Sequence, residues 1–187
     1  MVIHMDWAEI QQACVFGMGR QLANAEAADK PYYAREGMLS DREAQPAAVL
    51  AEMAVAKMLN VYYSPTLWPA SDHPERKGDA DLCGFVEVRR VRLSDRGPPV
   101  RSTDRGRVVV AVYIPDDSRD DWRTPMILGW VAVDPAATKA TFQRDFVECG
   151  DGDQKYFRCP VPKLIPPTKE NIGSLRARCL THREVGG

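Results

Sequence analysis

The chain has little of what builds a zinc-binding or disulfide-rich protein. Its five cysteines include no Cys-x-x-Cys pair, and its three histidines are not spaced with them as a zinc set. An odd number of cysteines without a pairing pattern is typical of reduced thiols in the cytosol. We therefore expect a cytoplasmic protein without a disulfide framework.

Long hydrophobic runs are also missing. Asp6 and Glu9 interrupt the start of the chain, so no apolar core of a signal peptide is present there. Elsewhere no apolar run approaches the ~20 residues that a membrane-spanning helix needs. The sequence therefore predicts a soluble protein without a membrane partner.

Charge of either sign is not in excess over the whole chain, which has a formal net charge of −1. This balance gives no support to a nucleic-acid partner, but a local basic surface would be sufficient for one. Between Glu87 and Arg107 seven arginines stand against three acids. A solvated loop would explain this cluster, and so would a surface that contacts nucleic-acid phosphates through Arg90, Arg92, Arg101 and Arg105.

Two helices are predicted ahead of the strands. The first covers residues 6–24, with Asp6 as its cap and an apolar stripe at helical spacing that consists of Trp7, Ile10, Cys14, Met18 and Leu22. The second covers residues 45–59, with Pro46 in its first turn. It is apolar on nearly all sides, so we expect it to pack against a sheet. Glu52 is the only acid inside it.

Strands are predicted in the middle of the chain, over residues 82–93, 107–114 and 126–133. We expect the segment Ser94–Gly106 to be a hairpin connection between the first two. A short helix should begin at Asp134 and reach about Phe142. The segment 150–187 is predicted to be irregular and basic, with a short helix near 169–179. These elements indicate one α/β domain over 1–187, with its core at about 44–145.

The most informative stretch runs from Gly78 to Arg89, with the sequence GDADLCGFVEVR. Residues two apart in a strand point to the same face, so Glu87 and Arg89 should be neighbours. An acid precedes them at a turn, either Asp79 or Asp81, of which we favour Asp81. Paired carboxylates at a strand are suited to a hard cation such as Mg²⁺, which binds oxygen ligands.

This stretch resembles the active-site motif of the PD-(D/E)XK nuclease superfamily. Asp81 stands for the first acid of that motif, Glu87-Val88-Arg89 for the (D/E)XK half, and Glu52 for the helical acid that often precedes the sheet. The resemblance covers roughly residues 47–133, and the chain is similar to small phage or prophage members of the superfamily. It implies a restriction-endonuclease-like core, in which helices flank a mixed central β-sheet.

The activity that the resemblance implies is metal-dependent cleavage of nucleic acid, with DNA as the expected substrate. Glu52, Asp81 and Glu87 would hold Mg²⁺ or Mn²⁺, and Arg89 would take the place of the family's lysine. An arginine stays protonated, so it can stabilise phosphate charge but is a poor general base. The catalytic residues would be Glu52, Asp81, Glu87 and Arg89.

Two other functions remain open at this point. The arginine in place of lysine is compatible with a catalytically inactive nuclease-fold protein that binds nucleic acid or a protein partner, such as a phage accessory protein. An unrelated interaction protein would place the three carboxylates far apart. A homodimer is among the states that the resemblance allows.

Overall fold

The computed structural model describes residues 1–27, 41–65, 79–95, 97–115, 120–150 and 156–185. Its helices are α1 (Trp7–Ala27), α2 (Asp41–Leu59), α3 (Lys139–Asp145) and α4 (Lys169–Val185). Its strands are β1 (Val86–Val91), β2 (Pro99–Val100), β3 (Val108–Tyr113), β4 (Met126–Ala132), β5 (Val147–Cys149) and β6 (Tyr156–Arg158). The described part of the chain is therefore mixed α/β, as predicted.

The two N-terminal helices form a packed pair. Asp6 and Glu9 cap α1 reciprocally, since the Asp6 carboxylate accepts from the Glu9 amide at 2.8 Å and the Glu9 carboxylate accepts from the Asp6 amide at 2.7 Å. The helix predicted over residues 6–24 is thus confirmed. The helix predicted over 45–59 is confirmed too, although it begins at Asp41 and contains Pro46.

Only part of the apolar stripe predicted for α1 faces the core. Ile10 is buried, but Trp7, Met18 and Leu22 are exposed. The buried side of α1 is instead built from Ile10 and the small residues Ala13 and Gly17. Because these side chains are short, α2 can approach closely on that side, and the larger apolar residues are turned away from it.

The main sheet has the strand order β1-β3-β4 and is mixed. Strand β1 pairs with β3 in parallel, and β3 pairs with β4 antiparallel. The predicted hairpin over Ser94–Gly106 is therefore wrong. A parallel pair needs a crossover long enough to return the chain to the same end of the sheet, and this connection contains β2 and a 3-10 turn at Ser102–Asp104.

The C-terminal part is more regular than the sequence predicts. Strands β2, β6 and β5 form a second, antiparallel sheet, and α4 extends to Val185 rather than ending near Cys179. The short helix α3 is capped by Thr138, not Asp134. The Asp134 carboxylate accepts from the Ala136 amide at 2.7 Å and so closes a separate turn before the helix.

The main sheet separates two hydrophobic cores. Val86 and Val88 belong to the core that also contains buried residues of α1, α2 and α4. Val109 and Ala111, which pair with Glu87 and Arg89 in the β1–β3 register, belong to the other core. Since side chains alternate along a strand, Glu87 and Arg89 point to the face opposite α2.

None of the helices in the described ranges combines the length and the apolarity that a bilayer-crossing helix requires.

Candidate functional site

The site lies along the free edge of β1. A tight turn brings the chain back beside the strand, with Leu82 bridged to Val86. Cys83 and Gly84 adopt the left-handed conformation there, with φ of 54° and 75°. The turn places the Asp81 carboxylate against the strand, where it accepts a hydrogen bond from the Val88 amide at 2.7 Å. Asp81 thereby satisfies a backbone donor that an edge strand would otherwise leave open.

The Asp81 carboxylate at this edge interacts electrostatically with two other carboxylates, those of Glu52 and Glu87. Burial, followed by the negative charges of Glu52 and Glu87, raises the pKa of Asp81 to about 7. The Val88 amide and the charge of Arg89 act in the opposite direction. The charges of Glu52 on α2 and of Glu87 on β1 therefore act on Asp81 from opposite sides of the sheet. We call these acids, with Asp104 and the arginines bonded to them, the acid cluster.

Glu52 is buried and held by two residues from outside the motif. Arg20 of α1 donates to both of its carboxylate oxygens, at 2.7 and 2.8 Å, and the Tyr63 hydroxyl donates to Oε2 at 2.7 Å. Burial and the charge of Glu52 raise the pKa of Tyr63 well above its usual range, so its hydroxyl stays a donor. Although burial opposes its charge, the hydrogen bond to Glu52 raises the pKa of Arg20.

Glu87 is held by two arginines of the sheet. Arg89 donates to Oε1, and Arg107 donates to Oε2 at 2.8 Å. Arg89 also donates to Oδ1 of Asp104 at 3.2 Å, and the second oxygen of Asp104 accepts from the Arg101 amide at 2.7 Å. Asp104 is only 1% exposed. Among the described residues, nothing bonds the buried Nε of Arg89.

The arginines predicted to contact phosphates are not equivalent. Arg90 is half-buried and donates from Nε and Nη2 to the Ile114 carbonyl, at 3.1 and 2.9 Å. Arg92 is half-buried as well, whereas Arg101 and Arg105 are exposed. The Arg105 guanidinium lies over the Phe142 ring, 5.8 Å from its centroid. Arg101 and Arg105 are therefore the better placed of the four for contact with a nucleic acid.

The acid cluster offers carboxylate oxygens, the ligand type that a hard divalent cation prefers. When Asp81 is ionised, four carboxylates (Glu52, Asp81, Glu87, Asp104) stand against three guanidinium groups (Arg20, Arg89, Arg107), which leaves one negative charge in excess. The carboxylate oxygens of Glu52 and Glu87, however, already accept hydrogen bonds from arginines. Within the described ranges, no three His, Cys, Asp or Glu side chains converge closely enough to hold a metal ion. An ion at Asp81 would have to replace arginine contacts.

Sequence reasoning did not find every member of the cluster. Arg107 lies in the arginine run, but its pairing with Glu87 depends on the parallel register of β1 and β3. Nothing in the local pattern around Arg20, Tyr63 or Asp104 indicates that they lie near the motif. Asp79, the alternative to Asp81, is exposed.

Comparisons with protein-family models, with curated proteins and with solved structures find no match for this chain. The geometry of the β1 edge is therefore the basis on which a function can be proposed.

Proposed function

We propose that the chain is a metal-dependent phosphodiesterase of the PD-(D/E)XK type, with a restriction-endonuclease-like core, that acts on DNA. The observation that supports this most is the position of Asp81. Its carboxylate is bonded to the edge of β1 and coupled by charge to Glu52 and Glu87. The charges of a helical acid and of a strand acid thus act on a turn acid beside β1, and the three follow one another along the chain in the order of the family's motif.

Asp81 and Glu87, with Glu52, would hold Mg²⁺ or Mn²⁺. Such an ion polarises a phosphoryl oxygen and lowers the pKa of a bound water. Arg89 would contact the phosphate through its planar guanidinium and stabilise negative charge on it. Because Arg89 stays protonated, it would not remove the proton of the attacking water. Arg101 and Arg105 would contact the backbone of the nucleic acid.

The arginine contacts favour a second candidate. Both oxygens of Glu52 and both oxygens of Glu87 already accept hydrogen bonds from arginines. Such saturation is what a catalytically inactive nuclease-fold protein would show, because the ion pairs take the place of the metal. That protein would bind nucleic acid or a protein partner, for example as a phage accessory protein, without a need for Mg²⁺.

A calorimetric titration with Mn²⁺, with and without DNA, separates the two candidates. We expect saturable binding to the unmodified chain, and loss of binding in Asp81→Asn and Glu87→Gln. Asp79→Asn is the matched control, because Asp79 is an exposed acid two residues away. DNA binding without any Mn²⁺ dependence would favour the inactive protein.

Cleavage of single- and double-stranded DNA in the presence of Mg²⁺ tests the activity itself. We expect Glu87→Gln to abolish cleavage, since it removes a charge from the cluster without removing volume. Arg89→Lys should keep activity or raise it, because a lysine returns the residue that the family motif carries. If Glu87→Gln cleaves as fast as the unmodified chain, the catalytic assignment is wrong.

A further inference from the structure

A second feature of the chain lies on α1, away from the acid cluster. Trp7, Val15, Met18 and Leu22 are 60%, 67%, 57% and 65% exposed. Together with Gln11 they follow one another at intervals of four, four, three and four residues, which places them on one side of the helix. We call Trp7, Gln11, Val15, Met18 and Leu22 the α1 stripe. The steps of four, three and four from Gln11 to Leu22 are the spacing of a helix seam that packs against another helix.

The α1 stripe cannot be covered by α2. The side of α1 that packs against α2 is built from other positions, among them Ala13 and Gly17, which are buried. A Cβ on Gly17 would lie 2.3 Å from the backbone nitrogen of Pro46, so the two helices already touch there. Large apolar side chains in a continuous exposed row are uncommon on a monomer and mark a surface that binds another molecule.

The small number of charged residues near the α1 stripe indicates what kind of partner it would bind. Between Ile10 and Ala25 the sequence has one charged residue, Arg20. That arginine is bonded to Glu52 inside the protein. A second copy of this chain can therefore approach the stripe without repulsion between like charges, while a strongly charged partner would find no opposite charge to bind. From Val15 to Leu22 the stripe is apolar and can pack against a second copy of itself, while at its other end the Arg123 guanidinium lies over the Trp7 ring, 6.0 Å from the ring centroid.

We propose that the α1 stripe is a two-fold interface between two copies of this chain. Burial of one large apolar side chain removes on the order of 100 Å² from water. Two stripes with their flanking residues therefore approach the ~1,000 Å² that a specific interface requires. Because this area lies at the lower limit for a specific interface, we expect the dimer to be weak.

The test uses opposite charges introduced into the same seam. One variant carries Val15→Glu and Met18→Glu, and the other carries Val15→Lys and Met18→Lys. Sedimentation equilibrium across the micromolar range should show a dimer for the unmodified chain and a monomer for each variant alone. An equimolar mixture of the two variants should form a dimer again, because the charges now attract across the seam. Far-UV circular dichroism should be unchanged, since these side chains are exposed, and thermal unfolding should be unchanged at concentrations too low for the unmodified chain to dimerise.

Leu180→Glu is the matched control, because Leu180 is a 46% exposed apolar residue on a different helix. It should dimerise as the unmodified chain does. Three results would overturn the proposal: a monomeric unmodified chain at every concentration, a dimer that persists in both charged variants, or a mixture of folded variants that stays monomeric. None of these depends on nuclease activity, so failure here is separate from failure of the proposed function.

Discussion

At the scale of single residues, Asp81 differs from the other acids of its cluster. Described arginines bond the carboxylates of Glu52, Glu87 and Asp104, but Asp81 is bonded to a backbone amide. A backbone amide carries only a partial charge, so it offsets less of the loss of hydration that accompanies burial. Burial and the neighbouring acid charges therefore raise the pKa of Asp81 toward neutral pH.

The raised pKa of Asp81 predicts a pH dependence of stability. An unfolded aspartate has a pKa of about 3.9, whereas the folded value is about 7. Between these values the folded state keeps a proton that the unfolded state has lost, so this group's contribution to stability falls as pH rises from about 4 to 7. Above pH 7 its contribution changes no further.

Asp81→Asn isolates this contribution, because an amide oxygen can still accept from the Val88 amide. The difference in free energy of unfolding, variant minus unmodified chain, should increase between pH 4.5 and pH 7.5, by a few kcal/mol at most. Urea unfolding of both proteins at the two pH values measures the difference. An equal difference at both pH values would show that Asp81 titrates normally.

Arg20 is predicted to stabilise the fold through Glu52. Removal of one partner of a buried ion pair leaves the other charge without compensation, so we expect Arg20→Met to destabilise by about 3–5 kcal/mol. The double variant Arg20→Met with Glu52→Met should be more stable than Arg20→Met alone, because it leaves no isolated charge. A double-mutant cycle by urea unfolding measures the coupling. Additive effects would mean that the pair contributes nothing specific.

At the scale of elements, the contact between α1 and α2 depends on a residue without a side chain. A Cβ at Gly17 would lie 2.3 Å from the Pro46 nitrogen and 2.4 Å from its Cα. Both atoms belong to the backbone of α2, so they cannot move aside as a flexible side chain would. Close approach of the two helices, rather than helix propensity, explains a glycine in the middle of α1.

Two glycine-to-alanine substitutions should therefore have opposite signs. Gly17→Ala forces the helices apart and should destabilise by about 1–3 kcal/mol. Gly173→Ala in α4 is the control, because a Cβ there would have nothing within 4 Å. It should stabilise by up to about 1 kcal/mol through helix propensity. Thermal unfolding followed by circular dichroism measures both. A neutral Gly17→Ala would show that α1 and α2 are not in close contact.

At the scale of the whole molecule, the main sheet joins the two hydrophobic cores. Its central strand β3 contributes Val110 and Val112 to one core and Val109 and Ala111 to the other, and all four are fully buried. Because β3 is buried on both faces, unfolding of either core would expose one face of this strand to water. We therefore expect the two cores to unfold together, as one cooperative domain.

Truncation of a buried side chain in either core should shift the single unfolding transition of the whole domain. Leu50 lies in the core that contains α2, and Phe142 lies in the other core. Leu50→Ala should destabilise by about 2–5 kcal/mol and Phe142→Ala by about 3–5 kcal/mol. Tryptophan fluorescence and far-UV circular dichroism should report coincident urea transitions for both variants. A separate early transition in Phe142→Ala would divide the chain into two folding units.

Local patterns in the sequence are sufficient to predict the two N-terminal helices, the three strands of the main sheet and the position of Asp81 beside β1. Helical spacing and apolar runs predict α1, α2, β1, β3 and β4, because these signals depend on neighbours a few residues apart. The proximity of Asp81 to the Glu87–Arg89 strand follows from the short turn between them. The end of α4 and the start of α3 were missed, since both depend on caps and on packing that a local pattern does not contain.

The pairing of the elements and the partners of the charged side chains depend on contacts between distant segments of the chain. The parallel register of β1 and β3 brings Arg107 to Glu87 across 20 residues, and the α1–α2 contact brings Arg20 to Glu52 across 32 residues. The side of α1 that is buried was decided in the same way, by the close approach of α2 at Gly17. Strand direction, helix contact and ion pairing all join distant segments, and no local spacing in the chain specifies them.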